Sequence, residues 1–287
     1  MPFASVNGVE IAYETVGEGV PIIFCHEFAS DMRAWHNQVR FFARSFRCVT
    51  YNYRGYPPSA VPTDPAAYAH DELVAELDGL FDHLGIPSAH VVGVATGGGV
   101  ALNFAIRHPG KVRSLAVIGA GAGSVDREAW LAGARTLSDA IAREGMEALV
   151  QNIERAPQRQ ALRIKDPASW DEFIRGMRDM SPIGCSLMMA NALMGRKPLF
   201  DLETEIAGLP MPVLVAVGDQ DIPGFDTSIF VSRTAPHGAL AVLPLCGHLL
   251  PVEEPALFNQ VLGDFLAAVT CGRWGRWRAE STSEEAA

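Results

Sequence analysis

Short runs rich in Val, Ile and Leu recur along the chain, and helix-like stretches separate most of them. They lie at Val9–Tyr13, Pro21–Cys25, Arg47–Asn52, His90–Val94, Arg113–Gly119, Pro212–Val217 and Ala239–Leu243. Several are continuously apolar rather than alternating, the pattern of strands buried on both faces. The intervening stretches supply the covering layers: Leu73, Leu77, Leu80, Phe81 and Leu84 share one helical face, as do Phe258, Val261, Leu262, Phe265, Leu266 and Val269. The expected fold class is therefore α/β, a mostly parallel central sheet with helices on both faces.

One stretch breaks the alternation. From Gly121 to Gly208 no run reads as a strand, and Met177, Met180, Met188, Met189 and Met194 gather in its second half. An insertion between two parallel strands is expected to cap the C-terminal edge of the sheet, where such sheets place their sites. The expected division is residues 1–120 and 209–270 for the core, 121–208 for a helical cap and 271–287 for a flexible tail.

Charge narrows the partners. Lys and Arg number 23 against 33 Asp and Glu, a net charge of −10, which disfavours binding a phosphate backbone. The one basic cluster, Arg273 to Arg278, falls in the tail. No apolar run approaches the roughly 18–20 residues of a membrane span, and the N-terminus lacks the charged and apolar regions of a secretory signal. The five cysteines are scattered without C-x-x-C pairing, as expected of reduced thiols in a cytoplasmic protein. The eight histidines show no metal-ligand spacing, and no nucleotide or flavin motif is present. The expectation is a small-molecule partner, no cofactor, no nucleic acid, no membrane, and a monomer or homodimer.

The chemistry concentrates at three places. The run His90–Val92 leads through Gly93-Val94-Ala95-Thr96-Gly97-Gly98-Gly99 into a helical stretch. Small residues two before and two after Ala95 permit a tight strand-to-helix turn that lifts the central side chain to a helix N-terminus. Backbone N–H groups and the helix dipole there favour a developing negative charge. Downstream, Pro212–Val217 ends in Gly218-Asp219-Gln220-Asp221, and the following strand leads to Cys246-Gly247-His248. The order elbow, acid, histidine brings all three to one sheet edge, with Asp221 orienting His248 and His248 acting as general base and then acid. Asp219 reads as a turn residue at the strand end.

These motifs resemble the α/β-hydrolases of the esterase and lactonase type, and the resemblance runs from about Phe3 to Val269. It rests on the elbow, the Gly-Asp-Gln-Asp loop and the segment Gly247-His248-Leu249-Leu250-Pro251-Val252-Glu253-Glu254-Pro255. The segment Cys25-His26-Glu27-Phe28 is similar to the family's His-Gly oxyanion loop. The resemblance implies that the backbone N–H groups of Phe28 and Thr96 form the oxyanion hole, at roughly 3 kcal/mol per donor. It also implies hydrolysis of a small, largely apolar ester or lactone through an acyl-enzyme. A C–C bond hydrolase or amidase on the same triad, and a ligand-binding protein without turnover, stay open as alternatives.

The departures from the family pattern matter more. Glu27 stands where the family has Gly; a hydrogen bond to loop backbone is expected, and a polar contact to substrate or to a water is the alternative. Asn52-Tyr53-Arg54-Gly55-Tyr56 replaces the family's Asp-x-Arg-Gly turn, with Arg54 expected to tie loops together. His26, Glu27, Trp35, Tyr53, Met188 and Met189 are candidate substrate contacts. Arg163, Arg175 and Arg178 leave the substrate's charge open.

The largest departure is Ala95 itself. A methyl group cannot attack a carbonyl, so binding is expected to survive while turnover falls on the order of a millionfold. Either a serine was replaced there to hold an intact ligand, or the chain is naturally without a nucleophile. The glycines, Asp221, His248 and helix N-terminus are all still shaped for a nucleophile, which favours the replaced serine.

Overall fold

The computed structural model describes residues 1–275. Eight strands form one sheet: β1 (Phe3–Val6), β2 (Val9–Val16), β3 (Pro21–Cys25), β4 (Arg47–Tyr51), β5 (Ala89–Val94), β6 (Val112–Ile118), β7 (Val213–Gly218) and β8 (Gly238–Leu243). Their spatial order is β1-β2-β4-β3-β5-β6-β7-β8. From β4 to β8 every pairing is parallel, and the β1–β2 and β2–β4 pairings are antiparallel, so only β2 runs against the rest.

The apolar runs are continuous because both faces are covered. Ile23, Val91, Leu115 and Val215 face one apolar layer, while Ile22, Val92, Ala116 and Leu214 face the other. Successive side chains of a strand point to opposite faces, so a strand sandwiched by helices needs apolar residues at every position. The strand expected at Val9–Tyr13 continues to Val16, and β1 had no counterpart among the sequence runs. Asn7 and Gly8, with φ 47° and 76°, close the β1–β2 hairpin. Two central residues with positive φ make the turn whose twist matches the flanking strands, and Asn-Gly is its sequence signature.

Between β6 and β7 the chain forms helices only, the longest being Arg127–Glu144, Met146–Arg155 and Pro167–Arg178. Met188–Leu193 is a wider, π-helical turn, a geometry that often marks functional positions. Trp274 limits the expected tail: its ring packs edge-on to Phe265 at 4.6 Å, and its Nε1–H donates to the His237 carbonyl at 2.7 Å. The rest of that tail, 276–287, including Arg276, Trp277 and Arg278 of the basic cluster, lies outside the described residues. Among the described residues no helix is long and apolar enough to cross a membrane.

Candidate active site

The elbow is built by close packing at its glycines. β5 ends at Val94, Ala95 takes φ 50° and ψ −109°, and the helix Thr96–Arg107 begins at the next residue. A Cβ on Gly93 would lie 2.1 Å from the Gly97 carbonyl oxygen, and one on Gly97 would lie 2.1 Å from the Cys25 carbonyl oxygen. Only glycine at both positions lets strand, turn and neighbouring loop approach so closely. A positive φ at a residue with a Cβ costs on the order of 1–3 kcal/mol and persists only where the surroundings enforce it. Here the Ala95 N–H donates to the Ile118 carbonyl at 2.8 Å, which ties the apex to β6.

Asp221 and His248 meet at the ends of β7 and β8. Asp221 is fully buried, and its Oδ2 accepts from His248 Nδ1–H at 2.8 Å. That bond leaves Nε2 as the free ring nitrogen. Room for the carboxylate comes from Gly119 and Gly224, where a Cβ would lie 2.9 Å and 2.7 Å from Oδ2. Glu253 shapes the histidine loop: its carboxylate accepts from the N–H of Gly247 at 2.7 Å and of Leu249 at 2.9 Å. Asp219 Oδ1 accepts the Cys246 N–H at 3.1 Å, and the Gln158 carbonyl accepts the His248 N–H at 2.9 Å. Gly119 and Gly224 were not singled out from sequence, because nothing in their spacing distinguishes them from other loop residues, and Glu253 stood in the quoted histidine segment without a role.

Glu27 has a partner that neither sequence reading supplied. Arg159, from the inserted helical segment, donates Nη1–H to Oε1 at 2.8 Å and Nη2–H to Oε2 at 2.6 Å. Burial works to raise the Glu27 carboxyl, but the charge and paired donors of Arg159 outweigh it and hold the group below the ordinary Glu range. The second carboxylate oxygen lies 3.7 Å from His248 Nε2. His248 thus sits between two buried carboxylates, hydrogen-bonded to Asp221 through Nδ1 and 3.7 Å from Glu27 at Nε2.

A cavity of about 320 Å³ opens beside these groups, lined by Glu27, Phe28, Ala95, Thr96 and His248 from the sheet edge. Trp130, Leu137, Leu149, Ile153, Met189 and Leu193 wall it from the inserted helices, with Arg159 and Arg196 as the cations. A larger hollow of about 600 Å³ runs from Asp31 to Met180 and reaches neither His248 nor Ala95. Among the described residues no group of three or more His, Cys, Asp or Glu is arranged to hold a metal ion.

Comparison with known proteins places the fold in a family. Residues 20–162 match the family model described as the alpha/beta hydrolase fold. The chain is also 30% identical over 275 residues to the 2-hydroxymuconate semialdehyde hydrolase of Pseudomonas sp. strain CF600, covering 91% of each protein. The chain belongs to the α/β-hydrolase family. The 3-oxoadipate enol-lactonase 2 of Acinetobacter baylyi is 25% identical over 264 residues, covering 90% of this chain and 93% of its own length. A thermophilic esterase from Thermogutta terrifontis shares the fold with TM-score 0.83 at 24% identity, covering 93% of this chain and 98% of that one. These relatives are hydrolases by name, so the chain is an α/β hydrolase by family.

Within this α/β hydrolase the structure separates the candidate contacts. Phe28, Glu27 and Met189 line the cavity, whereas His26, Trp35, Tyr53 and Met188 do not. Trp35 lies in the apolar layer on the opposite sheet face, 5.0 Å from Phe24 and 6.5 Å from Phe258 by ring centroids. Its place near the oxyanion loop in sequence says nothing about which face it reaches. His26 is a brace: Nδ1–H donates to the Glu27 carbonyl at 2.7 Å and Nε2 accepts the Tyr53 N–H at 3.3 Å. Burial lowers its pKa to about 4, so the ring stays neutral. Tyr53 packs against it with ring centroids 4.3 Å apart, tilted at 44°, and Met188 is wholly enclosed in the core.

Tyr56 donates its hydroxyl to the Phe28 carbonyl at 2.7 Å, fixing the loop from behind. Arg54 is buried against Glu76 and donates to the Ala67 and Asn7 carbonyls at 2.8 Å and 3.2 Å, tying loops as its motif suggested. Arg163, Arg175 and Arg178 are exposed. The cavity's cations, Arg159 and Arg196, carry no sequence signal, because spacing within a helical insertion does not say which side faces the sheet.

Proposed function

We propose that the chain carries the acyl-transfer site of a small-molecule ester or lactone hydrolase with no nucleophile at residue 95. It then binds substrate under the inserted helices, which act as a cap, and turns over little or none. The observation that carries this reading is the positive-φ backbone of Ala95, held in the apex conformation of a nucleophile elbow beside an oriented Asp221–His248 pair. Backbone strain of this kind clusters at functional sites, which supports an alanine standing in a serine's place.

With serine there, the roles follow from position. Its hydroxyl attacks the carbonyl, His248 Nε2 takes the proton and returns it to the leaving oxygen, and Asp221 holds the ring and stabilises the imidazolium. The N–H groups of Phe28 and Thr96 receive the oxyanion. Glu27 beside this hole would oppose the developing charge were it not neutralised by Arg159. A C–C bond hydrolase on the same groups is the second reading, favoured by the 30% identity to a semialdehyde hydrolase.

The test is Ala95→Ser assayed on p-nitrophenyl esters, lactones and a ring-cleavage dienone. Ester turnover rising by on the order of 10⁴-fold or more over the Ala95 chain supports the ester reading. Turnover confined to the dienone moves the conclusion to C–C hydrolysis. No turnover of any substrate by a folded Ala95→Ser protein overturns both. A serine codon at position 95 of the native gene would show that the alanine was introduced.

A further inference from the structure

Four charged or titratable side chains line the active-site cavity: Glu27, Arg159, Arg196 and His248. Glu27 and Arg159 cancel each other through two hydrogen bonds. Arg196 has no such partner. It is half-buried, its Nη2–H donates to the Ala122 carbonyl at 2.7 Å, and among the described residues it makes no ion pair. A guanidinium has five N–H donors, so one carbonyl leaves most of them unused.

The surroundings make this isolation costly. Arg127 lies behind Arg196, donating Nη2–H to the Arg196 carbonyl at 2.9 Å, and both guanidinium groups sit over the Trp130 ring, at 5.3 Å and 5.9 Å. Arg127 also makes no ion pair among the described residues, and its Nη1 is enclosed without a partner. His70 approaches from the core, buried, with both ring nitrogens unpartnered. Arg196 Nη1 and His70 Cε1 converge on Gly99, at 3.6 Å and 3.9 Å from where a Cβ there would sit.

Gly99 donates its N–H to the Ala95 carbonyl, so this cluster lies beside the first turn of the elbow helix. Burial, with Arg127's charge behind it, brings the Arg196 pKa down to about 10. A buried charge without a counter-ion is expensive, and Arg196 is the cavity-lining cation left without one among the described residues, the kind of perturbed group in a cleft that marks a candidate binding site.

We propose that Arg196, backed by Arg127, is an anion subsite of the active-site cavity, and that the substrate is a small ester or lactone bearing a carboxylate remote from its scissile carbonyl. This deepens the ester or lactone reading and rests on it for the scissile group. The planar fork of a guanidinium matches a carboxylate with two parallel N–H···O bonds. The apolar wall of Leu137, Leu149, Ile153, Met189 and Leu193 accommodates the carbon chain between the two polar ends. A cavity of about 320 Å³ is at the small end of ligand pockets, which suits a half-ester of a short dicarboxylic acid or the lactone of a hydroxy diacid.

Two measurements test it. In the Ala95 chain, calorimetry compares glutarate with neutral glutaramide. Glutarate is expected to bind more tightly, with its affinity falling roughly tenfold or more in Arg196→Met and less in Arg196→Lys. In Ala95→Ser, the kcat/KM ratio of mono-p-nitrophenyl glutarate to p-nitrophenyl butyrate is expected to exceed one and to fall roughly tenfold on adding Arg196→Met. Urea unfolding of Arg196→Lys, which keeps the charge, separates subsite loss from misfolding.

An ester ratio unchanged by Arg196→Met overturns the subsite and leaves the hydrolase reading standing. Arg196-dependent glutarate binding, with neither ester hydrolysed by Ala95→Ser, keeps the subsite and overturns the hydrolase reading. Equal binding of glutarate and glutaramide overturns the subsite outright.

Discussion

The sheet edge and the inserted helices line one cavity but contribute in different ways. Ala95, Asp221 and His248 each follow a strand end, at β5, β7 and β8, so their positions are set by the sheet's register. The buried residues that hold them pack closely: Gly93 and Gly97 at the elbow, Gly119 and Gly224 around Asp221, Glu253 under His248. The inserted helices instead supply apolar walls and two arginines. Their ties to the sheet edge inside the cavity include the Arg159–Glu27 pair and the His248 N–H bond to the Gln158 carbonyl. The sheet edge holds groups suited to chemistry, and the helices hold groups suited to choosing what reaches it.

The hardest break falls on the sheet edge. In the Ala95→Ser background, Asp221→Asn should lower kcat by about 10⁴-fold, because an amide presents the wrong hydrogen-bonding pattern to His248 Nδ1. Steady-state kinetics with stability measured in parallel checks this; a loss below about tenfold would mean that the pair does not act as a unit.

A break at the seam between the two regions should show in stability first. Arg159→Met leaves Glu27 buried with no counter-charge, and unfolding in urea should reveal a loss of about 3–5 kcal/mol. Adding Glu27→Gln to it should recover a large part of that loss, since the stranded charge is gone. Additive losses in the double variant would show that the pair is not energetically coupled.

The smallest effect sharpens the comparison through pH. His26 has its pKa lowered to about 4 by burial, against about 6.5 in an unfolded chain. Between those values the unfolded chain takes up a proton that the folded chain excludes, so stability falls as pH drops from about 6.5 toward 4. At pH 5.5 this amounts to about 1 kcal/mol from His26. Glu27 is shifted below its ordinary value, so its contribution is present above the usual Glu range, about 4.3, and is lost only as pH falls below it. Thermal melts from pH 7 to pH 3 check both windows, and a melting temperature flat between pH 7 and 4.5 contradicts the first.

Much of the fold was legible because it is written in local pattern. Short runs rich in apolar and β-branched residues, several of them continuously apolar, identified seven of the strands, and their termini agree with the structure to within a few residues. β1 escaped because four residues with alternating burial are too short to stand out, and the Asn7-Gly8 turn beside it went unread. The elbow, Asp221 and His248 were legible because each sits in a motif at a strand end. Trp35, Tyr53, His26 and Met188 were misplaced as pocket residues for the opposite reason. Closeness in sequence to the oxyanion loop, or membership of a Met-rich stretch, does not tell which face of a sheet or helix a side chain occupies.

The sequence by itself determined the α/β class, the family and the order of elbow, acid and histidine, because strand period, glycine spacing and loop position are local properties of the chain. Tertiary structure alone decided that Glu27 meets Arg159, 132 residues away. It also decided that Arg196 faces the cavity without a carboxylate beside it. Which charges end up paired in a buried site depends on how distant helices pack over the sheet, and no local pattern encodes that packing.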